Sequence, residues 1–171
     1  MSSSSQTEQQ QITFDEVSGL LAEARNYWIC TVRPDSRPHA APVWAVWRNG
    51  CVVFSSPDST VKARNLETNA EATVHLESGD EVVIVDGHAT RVDDEDELRA
   101  LGAAFTEKYG AITGVAYDLV QARSMGMAVI SVRAEVVRGW HAGAAFMANR
   151  WTLGPDGLPV AQTSVNAADL A

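Results

Sequence analysis

The chain has 171 residues, of which 46% are hydrophobic, and a formal charge of -9 at pH 7. This length and apolar content are enough for one well-packed core, so we expect a single folded domain. The acidic balance excludes broad nucleic-acid binding, and because the sequence shows neither a signal peptide nor a membrane-spanning run, we expect a cytoplasmic protein that does not contact membranes.

The sequence changes character near residue 12. Residues 1–11 are rich in serine and glutamine, a composition typical of a disordered tail. Thr13 and Glu16 have the spacing of a capping box, in which each side chain bonds the backbone N–H of the other residue, and they predict a helix over residues 13–25. Apolar residues recur along this helix at helical spacing, so one of its faces is expected to pack on the core.

The next part of the chain alternates in the manner of β-strands, over residues 27–33, 37–47 and 51–55. Pro42 interrupts the second strand, and because proline cannot donate to a sheet ladder, it marks an edge, a bulge or a place where a ligand replaces a neighbour. Asn49-Gly50 predicts a type I′ hairpin turn before the third strand. Cys30 and Cys51 lie in these strands without metal-ligand spacing, so we expect two buried free thiols.

Residues 54–66, FSSPDSTVKARNL, combine several groups that bind phosphate in one strand-to-helix turn. Two serines close the strand, and Ser59 is the expected N-cap of a short helix. Lys62 and Arg64 follow in the first turn of this helix, where unpaired backbone N–H groups also favour an anion. The pattern favours a phosphate site, and solvated charges beside turn-forming serines are an equally good explanation from local spacing alone.

A second hairpin is predicted by residues 72–76 and 81–92, in which Gly87 indicates a bulge or a close backbone approach. Residues 93–97 are consecutive acids. They complement the dipole at the start of a helix that we expect to end at Gly110, and no second cluster is spaced to complete a metal site with them.

The last predicted elements are a short helix near residues 117–123, a long strand over 127–137 and a closing strand over 150–153. Short strands joined by Gly, Pro and Asn turns, with one helix before them and one inserted late, predict a mainly β protein. Its expected architecture is a small closed antiparallel barrel with flanking helices outside. This domain is expected over residues 12–153, followed by a C-terminal extension over residues 154–171.

Four short motifs follow one another along the chain. They are Arg37-Pro38-His39 with Pro42-Val43-Trp44, then Val53-Phe54-Ser55-Ser56, then Ser59-x-x-Lys62-x-Arg64-Asn65-Leu66, then Gly139-Trp140 with Arg150-Trp151. In this order they resemble the pyridoxamine 5′-phosphate oxidase-like split-barrel flavoproteins. Within that family the chain looks most like the flavin/deazaflavin oxidoreductases of actinobacteria, and its composition, rich in Ala, Val, Arg and Asp, suggests an actinobacterial source.

The resemblance implies a homodimer of split β-barrels with two cofactor sites at the subunit interface. In such a site Lys62 and the strand-end hydroxyls hold the cofactor phosphate, and the ring lies along the backbone of the second strand. The residues implied in cofactor binding are Pro42, Val43, Trp44, Ser55, Ser56, Thr60, Lys62, Arg64, Asn65, Trp140 and Arg150. The second-strand sequence Ala-Ala-Pro-Val-Trp departs from the oxidase pattern, so oxidation of pyridoxamine phosphate itself is not expected.

The resemblance also implies FMN or the deazaflavin coenzyme F420 as the cofactor, and we favour F420, whose acidic tail would meet Arg37, Arg48 or Arg64. Because the cofactor ring performs hydride transfer, the protein needs no nucleophile of its own. We expect an oxidoreductase that transfers hydride to an unsaturated or planar organic substrate. The alternative is a non-catalytic carrier of FMN, haem or a tetrapyrrole. His39 and His141 are the candidates for substrate contact or proton delivery.

Overall fold

The computed structural model describes residues 11–142 and 147–166, which form four helices and nine strands. The helices are α1 (Phe14–Glu23), α2 (Val61–Thr68), α3 (Glu95–Thr113) and α4 (Leu119–Ser124). The strands are β1 (Tyr27–Val32), β2 (Pro38–Val43), β3 (Ala45–Arg48), β4 (Cys51–Pro57), β5 (Glu71–His75), β6 (Glu81–Arg91), β7 (Met127–His141), β8 (Met147–Leu153) and β9 (Pro159–Asn166). The predicted disordered tail lies outside the described residues except for Gln11.

The strands form one antiparallel sheet that curls into an open barrel. Its main path runs β2-β1-β5-β6-β7-β4-β3, and β8 pairs with β7 and with β9. The two ends of this path, β2 and β3, are consecutive in the chain and are separated only by Trp44. The ends must therefore come close together although no ladder joins them among the described strands. This confirms the predicted split β-barrel, and it confirms that Pro42 lies on an edge strand.

Strand alternation fills the barrel with apolar side chains. Val52 and Phe54 on β4 and Trp151 on β8 point inward, and each is at most 1% exposed. Helix α1 packs on the same core through Val17 and Leu21. Burial of one such side chain stabilises the fold by about 1.5–3 kcal/mol, so the barrel interior is the main source of stability.

A second, smaller apolar cluster lies outside the barrel, between α3 and strands β3, β4 and β7. Val53 on β4 contributes to it because it points away from the barrel interior. Helix α3 contributes Leu98, Leu101, Phe105 and Tyr109, which recur at helical spacing. This cluster fixes α3 on the outer face of the sheet, where it borders two cavities.

Among the described residues, none of the four helices has the length and apolar character that a membrane-spanning helix needs.

Two glycine positions behave as predicted. Asn49 and Gly50 have φ angles of 51° and 70°, the positive values that a type I′ turn requires. At Gly87 the pairing of β6 with β7 shifts register, which is the predicted bulge. A Cβ atom at Gly87 would lie 2.0 Å from the carbonyl oxygen of Arg133, so a side chain there would force the two backbones apart.

The ends of the helices agree with prediction at α1 and differ at α2 and α3. The capping box at Thr13 is present. At α2 the N-cap is Thr60 rather than Ser59, and no side-chain hydrogen bond caps the helix. Helix α3 passes through Gly110 and ends before Gly114, whose φ of 71° is the left-handed cap conformation. One internal glycine costs a helix only about 1 kcal/mol, which the buried face of α3 outweighs.

The strands differ from prediction mainly in extent. The predicted second strand is broken at Trp44 into β2 and β3, and β7 continues to His141. Strand β9 was not predicted, because its side chains are almost all exposed and do not alternate in polarity. It pairs along β8 and extends the sheet into the segment expected to be an extension. Of the two free cysteines, Cys51 is buried as predicted, whereas Cys30 is only half-buried.

Candidate cofactor-binding site

A buried hydrogen bond holds helix α2 against the β1–β2 hairpin. The side-chain amide of Asn65 donates to Thr31 Oγ1 over 2.9 Å, and both residues are at most 3% exposed. Thr31 is the register partner of His39 on β2, and its hydroxyl oxygen lies 3.5 Å from His39 Nδ1. Lys62 precedes Asn65 by one helical turn, so this bond places Lys62 beside the hairpin.

Two half-buried cations near this bond have no bonded counter-charge. Among the described residues the side chain of Lys62 makes no salt bridge or hydrogen bond, and burial lowers the pKa of its ammonium group. The side chain of Arg33, at the end of β1, likewise has no bonded partner in the described part of the chain. Asp35, the acid nearest to it in sequence, is bound by Arg37 over 2.6 Å. Partly desolvated, unpaired cations are unfavourable, so an anion bound between them would be stabilised.

His39 completes what we call the cationic cluster: Arg33, His39 and Lys62. Burial, together with the charges of Arg33 and Lys62, lowers the pKa of His39 below its ordinary value of 6.5, so its imidazole is neutral at neutral pH. The Thr31 hydroxyl accepts the Asn65 amide, and its oxygen lies 3.5 Å from His39 Nδ1. In the tautomer that carries its proton on Nε2, His39 accepts from Thr31 at Nδ1 and is able to donate to a ligand at Nε2.

The hydroxyl groups predicted to hold a phosphate do not all face the same way. Because side chains alternate along β4, Ser55 and Ser56 point to opposite faces of the sheet. Ser56 Oγ donates to Thr60 Oγ1 over 2.9 Å, since the Thr60 hydroxyl donates to the carbonyl oxygen of Pro57, also over 2.9 Å. Ser55 Oγ is buried on the other face and has no partner among the described residues. Of the Ser55, Ser56 and Thr60 hydroxyls, that of Ser55 is therefore the one free to donate to a ligand.

Ser55 faces a cavity of about 410 Å³ between β4, α3 and α4. The other lining side chains are mainly apolar or aromatic and include Trp44, Phe105, Tyr117, Leu119 and Met125. Trp44 stacks on Tyr109 with ring centroids 4.7 Å apart, and its indole N–H donates to Asn26 Oδ1 over 3.1 Å. A fixed aromatic wall with a free hydroxyl at Ser55 suits a planar ligand that can hydrogen-bond there.

Strand β2 connects the cationic cluster to this cavity. Because β2 ends the sheet path, backbone N–H and C=O groups along its outer edge have no partner among the described strands. His39 and Trp44 are five residues apart, which is about 16 Å of extended chain. Between them Val43 points into the barrel core, and Pro42 is exposed. A ligand lying along β2 would have its anionic end at the cluster and its ring near Trp44.

A buried polar network fixes the start of β3, next to Trp44. Lys108 on α3 donates from Nζ to the hydroxyl of Tyr27 over 2.7 Å and to the carbonyl oxygen of Ala45 over 3.0 Å. The Ala45 N–H donates to the hydroxyl of Tyr109 over 3.0 Å. Burial lowers the pKa of Lys108 to about 8 and raises the pKa of Tyr109 to about 12. The sequence analysis did not identify this network, which holds the Trp44 wall in place.

Lys108→Met should change how stability depends on pH. Because the pKa of Lys108 is about 8 in the folded protein and near 10.5 when exposed, the unfolded chain binds more protons between these values. The wild-type protein should therefore gain stability relative to the variant as the pH rises from about 8 to about 10. Urea unfolding of both proteins across this range measures the difference. A difference that stays constant would show that folding does not lower the pKa of Lys108, and a difference that shifts the other way would show that folding raises it.

Arg64, Trp140, Arg150 and His141 do not join the cationic cluster. Arg64 donates to the carbonyl oxygen of Ser59 over 2.7 Å and so holds the turn before α2. Trp140 and Arg150 lie half-buried on β7 and β8, on the face opposite the barrel core. His141, at the end of β7, lies near Glu16 in the first turn of α1. The predicted cofactor contacts of Trp140 and Arg150 require a second subunit and stay predictions.

The open barrel, in which an edge strand connects an aromatic cavity to the cationic cluster, defines the structural class as a split β-barrel. The sequence profile of the pyridoxamine 5′-phosphate oxidase family matches residues 13–141, and the chain belongs to this family. No curated protein matches the chain by sequence.

Solved structures with the same fold include proteins with different ligands. A pyridoxamine 5′-phosphate oxidase-related, FMN-binding protein from Nostoc punctiforme has a TM-score of 0.61 and 14% identity, over 88% of this chain and 92% of its own. An F420 reductase has a TM-score of 0.52 and 23% identity, over 68% of this chain and 92% of its own. A haem-binding protein from Mycobacterium smegmatis has a TM-score of 0.59 and 19% identity, over 89% of this chain and 57% of its own. At these identities the similarity concerns the fold.

Proposed function

We propose that the protein is an oxidoreductase that binds coenzyme F420 or FMN along β2 and transfers hydride between the bound ring and an unsaturated or planar organic substrate. The observation that carries this proposal is that the half-buried Lys62 bonds no described residue and lies, with Arg33, near His39 on an open edge strand. Membership of the pyridoxamine 5′-phosphate oxidase family supports it.

The residues present fit such a cofactor. Lys62, Arg33 and the Nε2–H of His39 would bind its anionic end, and backbone N–H groups at the start of α2 would add donors. Trp44 and the Ser55 hydroxyl would orient the ring and limit the access of water. When bound, the cofactor supplies the hydride chemistry, so the protein has to bind, orient and shield the reactants.

We favour coenzyme F420 over FMN because the two cations of the cluster, Lys62 and Arg33, can meet two separate anionic groups. F420 carries an acidic tail as well as a phosphate. Three arginines were expected to meet this tail. Arg37 is bound to Asp35 and Arg64 to the carbonyl oxygen of Ser59, and Arg48 lies at the end of β3 near the carbonyl oxygen of Ala100 on α3. Arg33 is unpaired among the described residues and would take their place.

We also propose that the protein is a homodimer whose subunits meet through the outer faces of β1, β5 and β6. Half-buried aromatic side chains lie on this side of the sheet, among them Trp28, which stacks on His75 with ring centroids 6.5 Å apart. In such a dimer the partner's Trp140 and the partner's Arg150 would line the far side of the ring. Light scattering of the purified protein tests the dimer, and a monomer mass would contradict it.

Equilibrium titration of the cofactor-free protein with F420 and, separately, with FMN tests the function, followed by turnover of the reduced cofactor with a panel of unsaturated acceptors. Tighter binding of F420 with oxidation of the reduced cofactor would support the reductase. Binding without turnover would support the carrier instead, so haem belongs in the same titration. Failure of both F420 and FMN to bind would overturn the proposal.

Ser55→Ala should have opposite effects on stability and on cofactor binding. Its hydroxyl is buried without a partner, so removing it should leave the free energy of unfolding of the cofactor-free protein unchanged or raise it by about 1 kcal/mol. Affinity for the cofactor should fall, because the free hydroxyl is the group expected to bond the ligand. Ser56→Ala is the matched control and should lose about 1 kcal/mol of stability with its bond to Thr60. Equal destabilisation by the two variants would contradict this assignment.

A further inference from the structure

A second polar cavity, which we call the arginine cleft, lies on the outer face of the sheet under the N-terminal half of α3. Its volume is about 480 Å³. The lining side chains that matter here are Arg48, Cys51, Thr90, Glu97, Ser131 and Arg133. It is distinct from the aromatic cavity of about 410 Å³ described above. The two cavities lie at different points along β4: Cys51 and Val53 line the arginine cleft, and Ser55 lines the aromatic cavity.

Two arginines stand on either side of Cys51 in one row across the sheet. Arg48 on β3 pairs with Cys51 on β4, and Cys51 pairs with Arg133 on β7. Neighbouring strands are about 4.8 Å apart, so the Cα atoms of the two arginines are about 10 Å apart. That separation allows two long side chains to bind one small anion from opposite sides.

Neither arginine has a bonded carboxylate among the described residues. Arg133 donates from one Nη to the carbonyl oxygen of Pro155 over 2.9 Å, and Arg48 reaches the carbonyl oxygen of Ala100 at 3.5 Å. A guanidinium has five N–H donors, so most of those on each side chain stay available. Glu97 is the one carboxylate in the lining. The cleft is thus locally positive in a chain whose net charge is -9.

A serine hydroxyl also faces the cleft. Ser131 lies in the next row, where it pairs with Val53 on β4 and with Thr90 on β6. It is 9% exposed, and its hydroxyl makes no hydrogen bond with any described residue. The hydroxyl is open to the cleft, so it can donate to a ligand that is bound there.

The backbone around the cleft is held rigidly. The turn before β9 packs on the β3–β4 turn so closely that a Cβ atom at Gly50 would lie 2.3 Å from the Cα atom of Gly157. This contact fixes the carbonyl oxygen of Pro155 and, through it, the guanidinium of Arg133. A preorganised cation loses less freedom on binding than a mobile surface arginine.

We propose that the arginine cleft binds the phosphate group of a small molecule. Arg48 and Arg133 bind its oxygens from two sides, and the hydroxyls of Ser131 and Thr90 donate to it from the floor. A tetrahedral dianion uses both guanidinium groups and the hydroxyls together, whereas a planar carboxylate engages fewer of these donors. The site does not depend on the cationic cluster or on the proposed cofactor.

Titration of the full-length protein with inorganic phosphate, followed by amide ¹H–¹⁵N spectra, tests this site. We expect saturable shifts at residues 48–53, 90–92 and 131–133. Arg133→Gln and Ser131→Ala should each weaken this response by about tenfold, the size of one charge-assisted hydrogen bond. Arg99→Gln is the control, because it removes the same charge from the exposed face of α3, where Arg99 is already paired with Glu95. This variant should respond to phosphate as the wild type does. If Arg133→Gln does not fold, Arg48→Gln replaces it.

Three results would overturn the proposal. Shifts confined to residues 59–65 that disappear in Lys62→Ala would place the phosphate at the cationic cluster alone. Acetate binding as tightly as phosphate would exclude selection of a tetrahedral dianion. A response equal in wild type, Arg133→Gln and Ser131→Ala would show that the cleft does not bind phosphate. Because the spectra separate the two regions, failure of the cleft and failure of the proposed cofactor site are distinguishable.

Discussion

Lys62→Ala is expected to weaken cofactor binding by about 1.5–3 kcal/mol, which is about tenfold to a hundredfold in the dissociation constant. The ammonium group bonds no described residue, so its favourable interactions would form mainly with the cofactor. For the same reason the variant without cofactor should be as stable as the wild type, within about 0.5 kcal/mol. Fluorescence titration with F420 and FMN, and urea unfolding of the same samples, measure the two quantities.

Two further variants make this result specific. Arg37→Ala removes a cation from the same hairpin, but one that is exposed and already bound to Asp35 over 2.6 Å, so cofactor affinity should hardly change. Lys62→Arg keeps the charge with a different shape and reach, so we expect binding with a misplaced ring and slower turnover. If Lys62→Ala binds the cofactor as tightly as the wild type does, the phosphate is not held by Lys62.

Local chemistry explains how much of the site the sequence could predict. The turn over residues 54–66 and the Asn49-Gly50 hairpin are set by near neighbours, so short patterns were enough to identify them. Arg33 could not be identified in this way. It approaches Lys62 because α2 docks on β1 through the bond between Asn65 and Thr31, which are 34 residues apart. Contacts of that separation depend on the tertiary fold.

Two other features of the site show what strand and helix periodicity can predict about the direction of side chains. The opposite directions of Ser55 and Ser56 follow from the period of two along a strand, once β4 is known to continue to Pro57. Lys108 lies three residues after Phe105 and therefore on the buried face of α3, which a helical pattern could have indicated. Its partner Tyr27 is 81 residues away, so the network itself was not predictable.

Strand β9 marks the limit of pattern-based prediction of the fold. Its residues are exposed on both sides, so neither a period of two nor an apolar run distinguishes them from a loop. The hairpin is instead positioned by β8. Asn149 donates to the carbonyl oxygen of Ile12 over 2.8 Å, which ties β8 to the segment before α1. This contact joins β8 to the first described segment and helps to explain why β8 packs as part of the barrel.

Trp151→Ala is expected to lower the free energy of unfolding by about 3–5 kcal/mol, because it leaves a large cavity in the barrel core. Trp151 is 1% exposed, and its ring meets Phe14 of α1 edge-on with centroids 5.6 Å apart. Thr152→Ala, on the same strand but facing away from the core, is the matched control and should change stability by about 0.5 kcal/mol or less. Urea unfolding measures both variants. If Trp151→Ala were no more destabilising than the control, β8 and β9 would be a separable extension rather than a wall of the barrel.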